Sequence, residues 1–329
     1  MADRARAWWV CEPGRGEVRE QPLHAAGPGE VLVRTLCSGI SRGTEMLVFR
    51  GGVPKDQADL MRAPFQEGEF PGPVKYGYLN VGVVEQGPVG LVGRTVFCLY
   101  PHQSRYVVPA GAVAVVPDGV PAGRAVLAGT METALNAVWD AAPLPGDRVT
   151  VIGAGMVGCC LARLLARIPA VDVVLVDVDP ARATTAAALG VGFELPVDAN
   201  GDRDHVFHTS ATSAGLQLAL DLLAADGSVL ELSWYGDAPV EVALGGDFHS
   251  RRLAVRASQV GEVATRRRGR RTRTDRLATA LDLLRDPALD ALATGSSPLE
   301  ELPEVMPRMA AGELPGLLHT VTYEASCSA

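Results

Sequence analysis

A glycine-rich stretch with an acidic residue downstream carries the clearest chemical signal in this sequence. Gly153, Gly155 and Gly158 follow the apolar run RVTVI, and Asp177 ends a second apolar run about twenty residues further on. Glycines at this spacing permit a tight turn that approaches a pyrophosphate closely, and the following helix start offers N–H groups to the phosphates. A carboxylate at Asp177 would accept two ribose hydroxyls and repel a 2′-phosphate. The pattern therefore predicts a binding site for NAD.

The turn lies in a region where apolar runs typical of strands alternate with Ala- and Leu-rich stretches typical of helices. This alternation over residues 129–261 predicts an α/β fold with a doubly wound parallel sheet of the Rossmann type. Residues 1–128 instead contain short β-type runs broken by Gly and Pro, which predict a β-rich domain. We expect residues 262–329 to return to that first domain. The cofactor-binding candidates in the turn itself are Gly153, Gly155, Met156, Val157 and Gly158.

Composition limits the classes of partner. The chain has 329 residues, 47% of them hydrophobic, and a net charge of −8. It can therefore bury a large core, and it does not have the charge of a general polyanion binder. The six cysteines include no CxxC pair, which argues against a disulfide framework or a structural zinc site. Without a recognisable signal peptide or membrane span, we expect a cytoplasmic protein that contacts small molecules and neither nucleic acid nor membrane.

One charged segment departs from this acidic composition. Seven arginines lie between Arg266 and Arg276, a density that could bind phosphate groups. Because the segment lies between a predicted strand and a predicted helix, we interpret it as a solvated loop. The preceding strand, RRLAVRASQV, is a candidate sheet edge at which two copies could pair, and we expect a homodimer.

The β-rich N-terminal region, the GAGMVG turn and the returning C-terminal segment together resemble the medium-chain dehydrogenase/reductase superfamily over nearly the whole chain. Five further strings resemble a subgroup that includes bacteriochlorophyllide a dehydrogenase: SGISRGTEMLVFRG, VFCLYPHQSRYVVPA, GTMETALNAVWDA, SWYGD and FHSRRLAVRASQVG. The resemblance implies a GroES-like catalytic domain joined to the Rossmann domain. It also implies hydride transfer between a nicotinamide cofactor and a small alcohol or ketone.

The zinc ligands of that superfamily are missing at the matching positions. Ser41 stands where a cysteine binds the metal. Tyr78 and Leu79 stand where a histidine and a glutamate are expected, and Gly129 lies near a further ligand position. A serine hydroxyl is a poor zinc donor compared with a thiolate, and leucine has no donor atom. We therefore predict an enzyme without a metal.

Without zinc, hydrogen-bond donors must stabilise the oxygen of the alcohol or ketone while a proton is transferred. Tyr78 is the leading candidate, and Lys75 could lower the pKa of its phenol. Alternatively, Tyr78 fills the space left by the metal and Lys75 is a solvated loop residue. His102 is either a proton relay or a loop histidine bonded to backbone carbonyls. Glu132 is either a general base or an acid placed near a helix start for its dipole.

Two further groups of candidates follow from the same comparison of residues. Candidates for substrate binding are Ser41, Thr44, Glu45 and Trp234. Candidates for cofactor binding outside the glycine turn are Asp177, Arg182, Arg42, Ser210, Tyr235, Ser258 and Gln259. The resemblance implies that Arg42 contacts the pyrophosphate and that Arg182 lies beside the adenosine ribose.

Our main hypothesis is a zinc-independent, NAD-dependent oxidoreductase that interconverts a secondary alcohol and a ketone in bacterial specialised metabolism. An NAD(P)H-dependent quinone or enoyl reductase of the same superfamily is an alternative, which Asp177 opposes because such enzymes usually use NADPH. A third hypothesis is a non-catalytic nucleotide- or RNA-binding protein on the same fold. The arginine segment favours it, and the acidic net charge opposes it.

Overall fold

The structure, a computed structural model, describes residues 4–323, so that Cys327 lies outside the described residues. The strands are β1 (Arg4–Glu12), β2 (Arg15–Pro22), β3 (Glu30–Ile40), β4 (Glu67–Gly68), β5 (Val74–Lys75), β6 (Asn80–Gln86), β7 (Thr95–Cys98), β8 (Arg105–Pro109), β9 (Val113–Val115), β10 (Arg148–Ile152), β11 (Asp172–Val176), β12 (Gly192–Glu194), β13 (Arg203–His208), β14 (Leu223–Glu231), β15 (Ala254–Ala257), β16 (Ala293–Pro298) and β17 (Leu318–Thr322). The α-helices are α1 (Thr44–Phe49), α2 (Ala122–Ala125), α3 (Ala128–Ala141), α4 (Met156–Leu165), α5 (Arg182–Leu189), α6 (Ser213–Asp221), α7 (Asp247–Ser250), α8 (Arg273–Leu283) and α9 (Leu302–Ala310). Short 3-10 helices span Lys55–Gln57, Ala110–Ala112, Pro196–Asp198, Pro287–Leu292 and Leu299–Glu301.

Two compact units make up the described chain. The first comprises the residues up to Gly129 and those from Ala293 onward, and the second comprises Thr130–Leu292. The sequence-based division placed residues 262–292 with the returning segment, whereas the structure places them in the second unit. Ion pairs give a physical reason, because Asp286 is bonded to two arginines at the end of α4.

Two sheets form the first unit. One contains β16, β17, β3, β6, β7 and β9 in that order, with β8 paired to β3, and the other contains β2, β1, β5 and β4. An apolar cluster joins side chains from β1, α1, α9 and β17, among them Trp8, Phe49, Met306 and Val321. The predicted β-rich architecture is confirmed, and the segment from β16 to β17 extends its larger sheet.

The second unit is built on one parallel sheet of six strands in the order β12, β11, β10, β13, β14 and β15. The first strand of the unit, β10, lies near the middle, and the chain adds strands first on one side and then on the other. This is the strand order of a Rossmann fold. Val149, Val151 and Leu175 on the central strands are fully buried, as expected for strands covered on both faces. The predicted doubly wound sheet is confirmed.

The surface of the second unit contains the edge strand and the arginine segment. β15 ends the sheet, and all four of its residues are exposed. The arginines from Arg266 to Arg273 are exposed too, whereas Arg276 is buried within α8 and does not belong to the loop. Within the described range, no helix combines the length and the apolar character needed to cross a bilayer.

Candidate active site

The predicted glycine turn joins β10 to α4 in the second unit. Gly153 has a φ of +105°, and a Cβ on it would lie 2.7 Å from Thr209 Oγ1. A Cβ on Gly158 would lie 1.9 Å from the carbonyl oxygen of Gly153, so only glycine fits at either position. The N–H groups of Met156 and Val157, in the first turn of α4, have no intrahelical acceptor. This arrangement suits a pyrophosphate.

Asp177 directly follows β11, the neighbour of β10 in the sheet. Its Oδ2 accepts a hydrogen bond from the Ala154 N–H at 2.7 Å, and its Oδ1 accepts one from the Asp179 N–H at 2.9 Å. Arg182, at the start of α5, pairs with Asp179 at 3.3 Å. The carboxylate of Asp177 is therefore held against the glycine turn. Arg182 does not contact Asp177 directly but pairs with Asp179, whose N–H donates to Asp177.

Three more candidates follow β13 and β14 in the second unit. Ser210 lies against the glycine turn, because a Cβ on Gly153 would be 2.9 Å from the Ser210 nitrogen. The Tyr235 hydroxyl donates to Glu231 Oε2 at 3.0 Å. Trp234 is half-buried beside Tyr235. Ser210 is thus next to the predicted pyrophosphate position, whereas the hydroxyl of Tyr235 is committed to a carboxylate.

Ser258 and Gln259 follow β15. The Ser258 hydroxyl donates to Asp140 Oδ2 at 2.8 Å, and the residue is buried. The side-chain oxygen of Gln259 accepts the Gly261 N–H at 2.7 Å. The Ser258 side chain is thus used within the unit, whereas Gln259 is exposed and its hydrogen bond uses only the side-chain oxygen.

Three hydroxyl groups meet in the first unit at the position that the resemblance assigns to the metal. The Tyr78 hydroxyl donates to Ser41 Oγ at 2.7 Å, and the side chain of Thr44 lies close to it. Burial, assisted by the negative charge of Glu45, raises the pKa of Tyr78 to about 12. Tyr78 therefore keeps its proton at neutral pH and acts as a hydrogen-bond donor.

A chain of buried polar groups continues from these hydroxyls. Glu45 Oε1 accepts the Ser41 N–H at 2.8 Å, and Glu45 Oε2 lies 2.8 Å from His102 Nε2. His102 Nδ1 lies 2.7 Å from Ser38 Oγ, which in turn lies 2.7 Å from the Tyr323 hydroxyl. Because Glu45, His102 and Ser38 are at most 3% exposed, these bonds replace the water that the groups would otherwise bind. Side chains, rather than backbone carbonyls, hold the imidazole of His102.

Lys75 does not pair with Tyr78. It lies on β5 opposite Glu67 of β4, and its ammonium donates to the Glu67 carboxylate and, at 2.6 Å, to Gln103 Oε1. It also lies 5.4 Å from the centre of the Tyr100 ring. Lys75 is fully buried, and burial lowers its pKa although Glu67 opposes the shift. Both sequence hypotheses for Lys75 are therefore corrected, because strand pairing directs its charge to Glu67.

Glu132 is not a free base. It lies in α3 beyond the first turn and pairs with Arg276 Nε at 3.0 Å, with both side chains buried. Burial raises the pKa of Glu132, and the charge of Arg276 opposes that shift. Arg276 also donates to Asn136 Oδ1 at 2.6 Å and to the carbonyl of Glu262 at 3.0 Å. The pair joins α8 to α3, which replaces both the general-base and the helix-dipole hypotheses.

Arg42 holds the chain that leads into β17. Its Nε donates to the carbonyl of Leu317 at 2.9 Å, and its Nη1 donates to the carbonyl of Leu314 at 2.7 Å. These bonds stay within the first unit. A contact from Arg42 to a cofactor remains a prediction.

The residues at the position where the resembling superfamily binds its metal do not fit a zinc ion. Ser41 and Tyr78 offer hydroxyl oxygens, whereas zinc sites use thiolate, imidazole and carboxylate donors. Leu79 is fully buried, and a Cβ on Gly129 would lie 2.7 Å from Leu79 Cδ2, so a side chain at position 129 would require Leu79 to move. Across residues 4–323, the structure brings together no three His, Cys, Asp or Glu side chains that could hold a metal ion.

Solved structures share this architecture. L-idonate 5-dehydrogenase from Escherichia coli is 17% identical with a TM-score of 0.80, over 98% of this chain and 99% of that one. An alcohol dehydrogenase from Escherichia coli, complexed with NADH, is 15% identical with a TM-score of 0.77, over 98% and 100%. A dehydrogenase from Sinorhizobium meliloti, described as zinc-binding and bound to NADP, is 16% identical with a TM-score of 0.76, over 97% and 99%. The chain has the same two-unit fold as these dehydrogenases.

This fold consists of a GroES-like unit and a Rossmann unit, as the sequence predicts. No protein-family model matches the chain, and no curated protein matches it in sequence. At these levels of identity the likeness establishes the fold alone, and the superfamily and subgroup suggested by the sequence stay predictions.

The sequence analysis assigned no site role to four polar residues that the structure connects to candidate groups. Ser38 and Tyr323 extend the His102 network in the first unit, and His208 and Glu231 surround Ser210 and Tyr235 in the second. The sequence pattern could have predicted the pairing of His208 with Glu231. His208 and Glu231 end neighbouring strands of the parallel sheet, whose carboxyl ends meet at one edge.

Proposed function

We propose that this protein is an NAD-dependent oxidoreductase that interconverts a secondary alcohol and a ketone without a bound metal. The observation that carries the proposal is the glycine turn at the start of α4, with the Asp177 carboxylate 2.7 Å from its backbone nitrogen. Dehydrogenases of the same fold, one complexed with NADH and another bound to NADP, support a nicotinamide cofactor.

The second unit supplies the cofactor site in this proposal. A nicotinamide cofactor, when bound, donates or accepts the hydride. The N–H groups of Met156 and Val157 bind its diphosphate, as at other helix starts. Asp177 accepts ribose hydroxyls and repels a 2′-phosphate by its charge, which favours NAD over NADP.

The first unit supplies the groups that act on the substrate oxygen. The hydroxyls of Tyr78, Ser41 and Thr44 bind that oxygen. Because the pKa of Tyr78 is raised to about 12, its phenol stays a donor and stabilises negative charge on the oxygen. Glu45 fixes the backbone of Ser41 and, together with His102, is assigned the uptake of the proton released by the alcohol.

The free cysteines and the amino-acid composition bear on the compartment and the substrate. The described cysteines Cys11, Cys37, Cys98, Cys159 and Cys160 are free thiols, which supports action in a reducing cytoplasm. The Ala-, Arg-, Gly- and Val-rich composition supports a bacterial origin, and we place the reaction in specialised metabolism with a small alcohol or ketone as substrate.

A cofactor titration tests the proposal. Binding of NADH and of NADPH is measured by nucleotide fluorescence, and we expect NADH to bind at least about tenfold more tightly, which corresponds to about 1.4 kcal/mol. Asp177→Ser should remove most of this difference, because it removes the charge that repels the 2′-phosphate. Asp198→Ser is the matched control, since Asp198 is an exposed acid in the same unit. It should leave the ratio unchanged.

Each contrary outcome points to a different function. A preference of the unmodified protein for NADPH would favour a quinone or enoyl reductase. Failure to bind either nucleotide would favour a protein that has the fold without the chemistry. One equivalent of zinc in the purified, active protein would contradict the metal-free mechanism.

A further inference from the structure

A hydrogen-bonded serine, histidine and glutamate lie at the carboxyl edge of the parallel sheet in the second unit. His208 ends β13 and is fully buried. Its Nδ1 lies 2.7 Å from Glu231 Oε2, at the end of β14, and its Nε2 lies 2.7 Å from Ser210 Oγ. The imidazole thus bridges a carboxylate and a hydroxyl through its two nitrogens.

The surroundings of Glu231 determine which nitrogen of His208 carries the proton. Burial alone would raise the pKa of Glu231, but hydrogen bonds from His208 and Ser233 outweigh burial and lower it. The Ser233 N–H donates to Glu231 Oε1 at 2.7 Å, and the Tyr235 hydroxyl donates to Glu231 Oε2 at 3.0 Å. An ionised carboxylate only accepts hydrogen bonds, so Nδ1 of a neutral His208 holds the proton and Nε2 accepts from Ser210.

The hydroxyl of Ser210 lies beside the start of α6. Thr212 is the N-cap of that helix, and its Oγ1 accepts the Gly215 N–H and lies 3.0 Å from Ser210 Oγ. A Cβ at position 215 would be 2.3 Å from Ser210 Oγ, so glycine is required there for the serine to approach the helix. The N–H groups of Ser213 and Ala214 have no intrahelical acceptor and are available to an oxyanion.

We propose that Ser210 is a nucleophile, activated by His208 and Glu231, that takes the acyl group of a small carboxylic ester. The three groups have the distances and the order of a nucleophile, its base and the residue that orients the base. Ser210 itself is only half-buried, so part of the residue faces solvent. This activity requires no nicotinamide cofactor, although Ser210 also lies next to the predicted pyrophosphate position.

The proposed reaction balances with the ester and water alone. Ser210 Oγ forms a bond to the carbonyl carbon while its proton passes to His208 Nε2. The ester C–O bond breaks, and the departing alcohol takes that proton. Water then attacks the acyl-serine with His208 as base, which releases the carboxylic acid and restores Ser210. The N–H groups at the start of α6 stabilise the negative oxygen in both steps.

Labelling with an alkyl fluorophosphonate tests the proposal. The expected result is one adduct per chain with loss of fluoride, located on Ser210 by peptide mass spectrometry. Ser210→Ala should abolish the adduct. His208→Gln and Glu231→Gln should slow labelling by roughly 100-fold or more, the usual contribution of a general base. Release of nitrophenol from p-nitrophenyl acetate should follow the same order.

Ser250→Ala is the matched control, because Ser250 is an exposed serine in the same unit whose hydroxyl donates only to backbone carbonyls. It should be labelled as fast as the unmodified chain. Thermal unfolding of each variant shows whether the substitution at the buried His208 preserves the fold. If His208→Gln unfolds, the adduct position in the unmodified chain and the Glu231→Gln rate still decide the matter. Labelling of Ser210→Ala at the rate of the unmodified chain, or an adduct on another residue, would overturn the proposal.

Discussion

The chemical role of Tyr78 depends on the groups around its hydroxyl. A neighbouring ammonium would lower the pKa of the phenol and make it a base, whereas burial beside a carboxylate raises the pKa and makes it a donor. The structure has the second arrangement, with Glu45 near Tyr78 and with Lys75 turned to Glu67. A donor at this position suits stabilisation of a substrate oxygen.

Tyr78→Phe should lower turnover by roughly 10² to 10³-fold, the usual effect of removing one donor from an oxyanion site. The affinity for NADH should stay within a factor of two or so, because the cofactor site lies in the other unit. Steady-state kinetics and a separate nucleotide titration measure the two effects. Since the pKa of Tyr78 is raised to about 12, the phenol is protonated throughout the neutral and mildly alkaline range, and turnover should show no loss from its ionisation there.

Tyr76→Phe is the control for this substitution. The Tyr76 ring packs edge-on against Tyr78 with centroids 6.0 Å apart, but Tyr76 is not assigned to the site. An equal loss of turnover in both variants would show that packing of the two rings, rather than the Tyr78 hydroxyl, is what matters.

Side-chain partners were the part of the site that the sequence could not predict. Tyr78 and Ser41 were both identified from their positions in motifs, and the structure joins them. The partner of Lys75 depends on how β4 pairs with β5, and the network from Glu45 to Tyr323 joins residues far apart in the chain. Such contacts are set by strand register and chain folding, which no local pattern records.

At the scale of elements, ion pairs fix helices to neighbouring segments. Asp286, after α8, lies 2.8 Å from Arg163 Nε of α4 and 2.9 Å from Arg167 Nη1, and its side chain is 9% exposed. Burial would raise the pKa of Asp286, but the hydrogen bonds from these arginines and from the Ala288 N–H outweigh burial and lower it. The pKa of Asp286 is lower in the folded protein than in the unfolded chain. The carboxylate therefore stabilises the folded state at pH values above its usual pKa of 3.8, and this stabilisation is lost as the pH falls below 3.8.

Asp286→Asn should therefore lower the free energy of unfolding by about 1–2 kcal/mol at neutral pH, because the amide loses the charge-assisted bonds. The difference from the unmodified chain should shrink as the pH falls below 3.8. Urea unfolding at a series of pH values measures both effects. In the control Asp282→Asn, an exposed pair with Arg285 is lost, and the change should be close to zero. A loss that does not vary with pH would contradict the electrostatic explanation.

The sequence predicted the elements that depend on local patterns and missed the one that depends on these ion pairs. The glycine turn and the alternation of strands and helices are local patterns, so the Rossmann sheet followed from them. The membership of residues 262–292 did not, because it depends on Asp286 and Arg276 meeting partners more than a hundred positions away.

At the scale of the whole molecule, an exposed sheet edge favours self-association. β15 ends the parallel sheet, its residues are exposed, and Val255 at its centre is 43% exposed. An unpaired edge strand is a template for pairing with another copy. The homodimer expected from the sequence would form at this edge.

Val255→Lys should convert the predicted dimer to a monomer, because lysines on an edge strand oppose pairing. Light scattering during size-exclusion chromatography should give twice the chain mass of 34.5 kDa for the unmodified protein and the chain mass for the variant. Val197→Lys, at a valine that is 89% exposed in the 3-10 helix Pro196–Asp198 rather than on a strand, should stay dimeric. A monomeric unmodified protein, or a dimer that survives Val255→Lys, would exclude β15 as the interface.

The packing of Leu79 against Gly129 bears on how such a site could evolve. A cysteine introduced at position 129 would collide with the leucine, since even a Cβ comes within 2.7 Å of it. Overpacking of this kind costs about 1–3 kcal/mol, while shrinking the leucine first leaves a void that costs about 2–5 kcal/mol. Either order of substitution therefore passes through a destabilised protein, so that placing a metal ligand at position 129 requires two linked changes.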